Sequence, residues 1–292
     1  MLATISMAAS LLLCALVTPY AVAVPPLPSL NAADEAEPTL SRFQSEDTPE
    51  IVLLGSSLTY RLLEDYFRPL RVRNLAIPGD SALTGLEIIA SYPHVPQLVL
   101  IEANILNRIV NAKLVQRFSD QRRREFFVRP VQTALASMIA ERPPAPPAPT
   151  PINPAVLDKL LNSAPEDHDN AAVIDWAADI FSKSDQDQTI RTNAKLLGAQ
   201  VSALTQRGSH VYLYEMPSPE KIEKSHFATV TRAVAHEAVP NPDLWLQLSY
   251  PIDQLRFPDH HHLDERSALI VAKSIGRAIA QARPSIPKAA AD

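Results

Sequence analysis

The chain has 292 residues, enough for one large α/β domain or two small ones. Hydrophobic residues make up 46% and charged residues 20%, the balance of a globular protein and not of a multi-span membrane protein. The net charge of −5 speaks against an electrostatic nucleic-acid binder, which is normally basic.

Residues 1–23 carry no charged side chain. Met7 to Val17 is a short apolar core, followed by Pro19 and then Ala21-Val22-Ala23. This pattern reads as a secretory signal cut after Ala23, so the chain is expected to be exported, either periplasmic or secreted. The alternative is an uncleaved anchor, since Ala3 to Val24 nearly spans a bilayer; membrane association is expected only in that case. The single cysteine, Cys14, lies in this segment. Its removal leaves no thiol for a disulfide, a nucleophile or a metal site. Residues 24–48 are rich in Pro, Ala and acidic side chains and read as a flexible linker.

Ile51 to Leu54 is a fully apolar run stopped by Gly55, the pattern of a buried parallel strand. Leu58 to Tyr66 reads as a helix, Val72 to Ala76 as a second strand and Ser81 to Ala90 as a second helix. Leu98 to Ile101 is a third buried strand. A long helix is expected over Leu114 to Ile139, then a stiff Pro-rich loop at 143–149. Thr189 to Gln206 reads as a helix leading into a fourth strand, Val211 to Tyr214. The last helix is expected over Glu265 to Ala282, capped by Asp264. The tail from 284 to 292 reads as disordered. Strands alternating with helices predict an α/β fold: three layers, α/β/α, around a mainly parallel sheet of about five strands. The domain is expected to span 49–283, with a helical, Pro-rich insertion at about 105–200.

In open parallel sheets, ligands bind at the carboxyl ends of the strands. Gly55-Ser56-Ser57-Leu58-Thr59 follows the first strand. Pro78-Gly79-Asp80 lies after the second, and Glu102-Ala103-Asn104 follows the third. Asp259-His260-His261-His262-Leu263 precedes the last helix. These segments supply a hydroxyl, a glycine N–H, a side-chain amide and an Asp/His pair, the parts needed for acyl transfer. The alternatives are a helix cap for Ser57, a turn glycine for Gly79 and a turn residue for Asn104. The three consecutive histidines suggest a metal, but adjacent side chains do not converge easily on one ion. His262 is preferred as base because Asp259 stands three residues before it; His261 is the alternative. Arg122-Arg123-Arg124 reads as a solvated helix face, and Trp176 and Trp245 as packing residues.

The order G-[DS]-S-L-T, a lone Gly, x-x-N and D-x-x-H-L resembles the SGNH (GDSL-type) hydrolase superfamily over residues 50–108 and 209–282. The resemblance implies a three-layer fold and an esterase, lipase or deacetylase chemistry without metal or organic cofactor. It implies Ser57 as nucleophile, Asp259 and His262 as its partners, and Ser57, Gly79 and Asn104 as the oxyanion hole. The expected ligand is a small ester or an acylated carbohydrate. Acyl transfer to a sugar hydroxyl by the same triad is a second reading, and a non-catalytic polysaccharide-binding module a third. Ser56 stands where the family usually has Asp, Glu102 where it usually has Gly, and Ile105 where it often has Asp. Glu102 is therefore expected to shape the pocket beside Asn104.

Overall fold

A computed structural model describes residues 37–45, 49–119 and 151–282. The expected signal segment, the first part of the linker, Arg122–Arg124, the Pro-rich loop and the tail from 284 lie outside these residues. Helix α1 is Glu37–Ser45, strand β1 Ile51–Leu54 and the short helix α2 Ser57–Tyr60. A 3-10 turn, Glu64–Phe67, precedes β2 (Val72–Asn74), α3 (Ala82–Ala90), β3 (Leu98–Glu102) and α4 (Ala112–Phe118). Then come α5 (Pro154–Leu161), α6 (Ala171–Phe181), α7 (Asp187–Gln206) and β4 (His210–Tyr214). The chain closes with α8 (Glu220–Glu223), α9 (His226–Ala238) and α10 (Glu265–Ala282). No described helix is long and apolar enough to cross a membrane.

The strands run in the order β2-β1-β3-β4, all parallel. Successive strand residues point to opposite faces, and both faces are covered. Val52, Leu54, Val99, Ile101, Val211 and Leu213 face a core built with α1, α3, α4, α7 and α9. Ile51, Leu53, Leu98, Leu100, Tyr212 and Tyr214 face the other core, closed by the 3-10 turn, α5 and α10. The fold is thus the three-layer α/β/α arrangement read from the sequence, with four strands in place of five. Where a fifth strand would lie, Trp245 makes one isolated parallel bridge to Leu213, and the Leu246 N–H donates to the Leu213 carbonyl at 2.8 Å. Pro240, Pro242 and Pro251 flank that segment. Proline has no N–H to give a ladder, so the pairing does not extend.

Three other expectations need correction. Residues 37–45, placed in the flexible linker, are helical, and Leu40 and Phe43 are buried in the first core; Phe43 meets the Tyr92 ring edge-on at 5.1 Å. The helix expected over Leu58 to Tyr66 stops at Tyr60. Asn74 Nδ2 donates to the carbonyls of Thr59 and Leu62, at 2.8 Å each, and ends it there. Helix α4 ends at Phe118, where Ser119 is extended, so the helix expected from Leu114 is broken there; the rest of its expected range, to Ile139, lies outside the described residues. Within the expected insertion, α7 is a buried crossover helix, with Ile190, Leu197 and Leu204 in the core.

The chain leaves β1 for β2 on one side and later joins β3 on the other. The carboxyl ends of β1 and β3 therefore flank the topological switch point, where such sheets form their binding crevice.

Candidate active site

Ser57 is the first residue of α2, directly after β1. Its N–H is one of the donors that a helix leaves without an intrahelical acceptor. Ser56 takes the capping role, accepting from the Leu58 N–H at 3.2 Å, which leaves the Ser57 hydroxyl free of it. Ser57 Oγ lies 2.8 Å from His262 Nε2, and His262 Nδ1 lies 2.7 Å from Asp259 Oδ2. An ionised carboxylate only accepts, so Nδ1 carries the proton and Nε2 offers its lone pair to the serine. The sequence spacing of three residues works because the Asp259 loop is a tight turn. Asp259 Oδ1 accepts from the N–H groups of His261 (2.9 Å) and His262 (2.8 Å). Partial burial pushes the Asp259 carboxyl up, but the His262 ring and these two N–H groups outweigh it and hold the group well below the usual carboxylate range.

The loop is buttressed from outside. Asn170, just before α6, donates from Nδ2 to the carbonyls of Phe257 and Asp259. Trp176 of α6 meets the His260 ring edge-on at 6.2 Å; it is exposed and packs on the histidine loop, not in the core. Trp245 is buried, with its indole N–H donating to the Val239 carbonyl at 2.9 Å.

Gly79 lines the same groove as Ser57 and His262, together with Tyr60, Arg61 and Tyr66. Its φ of 74° lies in the left-handed region that glycine alone enters without strain. The Asp80 N–H that follows turns back to the Ile77 carbonyl at 3.1 Å. Among the described residues, nothing accepts from the Gly79 N–H. Asn104, expected as the third oxyanion donor, is held by a backbone partner. Its Nδ2 donates to the Met216 carbonyl at 2.9 Å and its Oδ1 accepts from the Met216 N–H at 2.6 Å. The side chain so extends the β3–β4 ladder by one step and lines a neighbouring cavity with Leu58 and His261. An amide nitrogen has two hydrogens, and the second has no acceptor among the described residues.

Glu102 is the clearest correction. It does not line a pocket; it is 1% exposed and lies beneath the nucleophile loop. Its Oε2 accepts from the Ser56 N–H (2.9 Å), the Thr59 N–H (3.2 Å) and Thr59 Oγ1 (2.7 Å), while Oε1 accepts from Ser56 Oγ (2.8 Å). Thr59 Oγ1 also lies 2.7 Å from the buried Tyr214 hydroxyl. Burial pushes the Glu102 carboxyl up, and the four donors offset this only in part, so the group stays above the usual carboxylate range. The carboxylate reaches the loop because Gly55 has no side chain. A Cβ there would lie 2.5 Å from Thr59 Oγ1 and 2.6 Å from Glu102 Oε2. Thr59, Asn74 and Tyr214 were not singled out in the sequence; only the bare Gly55 hints at a close approach.

Asp259, His261 and His262 are the described residues that could together approach a metal ion. Both ring nitrogens of His262 already serve Asp259 and Ser57, so a metal there would compete with the serine. Burial, then the neighbouring His262 and His260, push His261 down to about 3, so it is neutral. The chain matches no protein-family model, and no curated protein matches it.

Proposed function

We propose that the protein is an exported serine esterase of SGNH type that hydrolyses a short O-acyl ester, with O-acetyl groups on envelope or extracellular polysaccharide as the preferred substrate class. The hydrogen-bonded chain from Ser57 through His262 to Asp259 carries this reading. Each of its members was expected from the resemblance to the SGNH pattern, and a nucleophile, its base and an orienting carboxylate within hydrogen-bond reach form the constellation that acyl transfer needs.

In this reading Ser57 Oγ attacks the ester carbonyl as His262 Nε2 takes its proton. Asp259 holds the imidazole tautomer and stabilises the imidazolium that forms. The N–H groups of Ser57 and Gly79, with the free hydrogen of Asn104 Nδ2, stabilise the tetrahedral oxyanion. His262 then protonates the departing alkoxide, and water, deprotonated by the same histidine, releases the acyl group from Ser57. Burial of Glu102 under the loop removes the charged pocket wall that its position in the sequence suggested. The open groove at Ser57 leaves room for a large alcohol such as a glycan.

The test is labelling of the purified protein with a fluorophosphonate, followed by peptide mass spectrometry. Modification at Ser57, absent in Ser57→Ala, is the expected result. Labelling of Ser56 instead, or of no serine, would refute the reading.

A further inference from the structure

Beside the Ser57 groove lies a narrower cavity of about 50 Å³. At the roughly 10–15 Å³ that one water centre occupies, it has room for on the order of four non-hydrogen atoms. Leu58 and His261, the chain neighbours of Ser57 and His262, form part of its wall. The His261 ring centroid lies 4.1 Å from that of His262, so a group bound against His261 is one ring away from the triad. Ile105, Phe181 and Phe227 supply apolar walls, with the two phenylalanine rings stacked at 5.2 Å.

Two of the lining residues carry a buried polar atom with no partner among the described residues: Thr231 Oγ1 and His261 Nδ1. Thr231 is 1% exposed and sits inside α9, where a threonine hydroxyl commonly bonds the carbonyl one turn back. Here it does not. Buried polar groups are almost always hydrogen-bonded, so an orphan in a cavity wall points to a partner that enters the cavity. His261 is neutral, as above, and its Nδ1 can take part in one neutral hydrogen bond. At the rim, Arg232 is shared between Glu215 (2.7 Å) and Glu223. Two carboxylates on one guanidinium leave an excess negative charge, which disfavours an anionic ligand.

We propose that this cavity is a subsite for a short, uncharged, hydroxyl-bearing arm of the ester, with Thr231 Oγ1 and His261 Nδ1 supplying the hydrogen bonds and the phenylalanine rings packing on its carbons. The proposal rests on the esterase reading in that it places the rest of the ester at Ser57. The same chemistry can come from the acyl side, as a 3-hydroxyacyl chain, or from the alcohol side, as the hydroxymethyl of a polyol or sugar.

Two ester pairs separate these sources: nitrophenyl butyrate against nitrophenyl 3-hydroxybutyrate, and ethyl acetate against 2-hydroxyethyl acetate. The readout is the ratio of kcat/KM within each pair. The wild type should favour the hydroxylated member of one pair by about 10-fold, since a site built for a hydroxyl discriminates against the analogue lacking it. Thr231→Val, which keeps the shape and removes the hydroxyl, should bring that ratio close to one, and Thr231→Ser should restore it. The pair that responds identifies the arm. Ratios near one for both pairs in the wild type, or a preference that survives Thr231→Val, would overturn the proposal while leaving the esterase reading intact. Failure to hydrolyse any ester would instead strike at the esterase reading, and the subsite is then read without turnover. Ligand-observed NMR titration with 2-propanol and 2-chloropropane, equal in shape but only one bearing a hydroxyl, should show saturable binding of the alcohol alone, lost in Thr231→Val. Equal behaviour of the two ligands, or of the two proteins, overturns it.

Discussion

Glu102 is the residue whose replacement says most about how the Ser57 loop is held. Two variants differ sharply in what they leave behind. In Glu102→Gln, the amide oxygen can take the Oε2 position and keep the Ser56 N–H and both Thr59 donors. The amide nitrogen then falls at Oε1, where Ser56 Oγ now donates at 2.8 Å, and that bond must reverse. Ser56 Oγ already accepts from the Leu58 N–H, so its own hydrogen loses the bond to Oε1 and keeps only the longer contact to Oε2, at 3.0 Å. One lost bond in a buried site costs on the order of 1–2 kcal/mol, a fall in Tm of roughly 2–8 °C for a domain of this size. In Glu102→Ala all four donors lose their acceptor and a cavity opens. Breaking a buried network of this kind costs on the order of 3–5 kcal/mol, and the turn that presents Ser57 loses its fixed geometry. Thermal denaturation and the rate of fluorophosphonate labelling measure the two effects. Glu102→Gln should label within about 10-fold of wild type, whereas Glu102→Ala should lose both Tm and labelling. Wild-type Tm and labelling in Glu102→Ala would show that the carboxylate does not support the loop.

Asp259→Asn should leave the fold intact but favour the wrong His262 tautomer, lowering kcat on an aryl acetate by about 10³- to 10⁴-fold; a loss under tenfold would remove Asp259 from the proposed triad. Gly55→Ala drives a Cβ to within 2.6 Å of both Thr59 and Glu102, so it should lower Tm and slow Ser57 labelling together, and an unchanged Tm would contradict the packing. His261 is held down to about 3 in the folded protein, against ~6.5 for an unfolded histidine. Between those values the unfolded state binds a proton that the native state does not, so stability falls as pH falls, by up to about 1.4 kcal/mol per pH unit. His261→Leu should remove that slope from urea unfolding measured between about pH 4 and 6; the same slope in both proteins would refute the burial argument.

What was legible in the sequence is what local pattern encodes. Strands β1, β3 and β4 announce themselves as apolar runs because both faces of a parallel sheet are buried, and α10 runs over the Glu265–Ala282 range expected from its apolar stripe and Asp264. Ser57, Asp259 and His262 were readable because each stands at a strand end or a helix start with the right neighbours. What was not legible depends on partners far along the chain. Helix α1 lies in a stretch rich in Pro and acidic residues and owes its place to Leu40 and Phe43 entering a core assembled from α3, α4 and α7. The early end of α2 is set by Asn74, fifteen residues after Thr59. Asn104 offered no sequence sign that its amide would bind Met216, across the sheet and 112 residues away.

The two departures from the motif pattern at Ser56 and Glu102 turn out to meet in space. In sequence they are forty-six positions apart and read as two separate losses: an acidic side chain missing from the nucleophile loop and a bulky charge intruding beside Asn104. In the structure Ser56 Oγ and the Ser56 N–H both donate to Glu102. A carboxylate still lies under the loop, delivered from the end of β3 and not from the loop itself. The exchange works only with a small hydroxyl at position 56 and no side chain at position 55. An Asp at position 56 beside Glu102 would place two buried carboxyls together, and like charges in such a site resist joint ionisation. Ser56 and Glu102 are therefore a matched pair, and the charge that sequence position alone assigned to substrate selection is spent on holding Ser57 in place. Phe181 from the insertion and Thr231 from α9 line the cavity beside this loop, where no motif directs the eye.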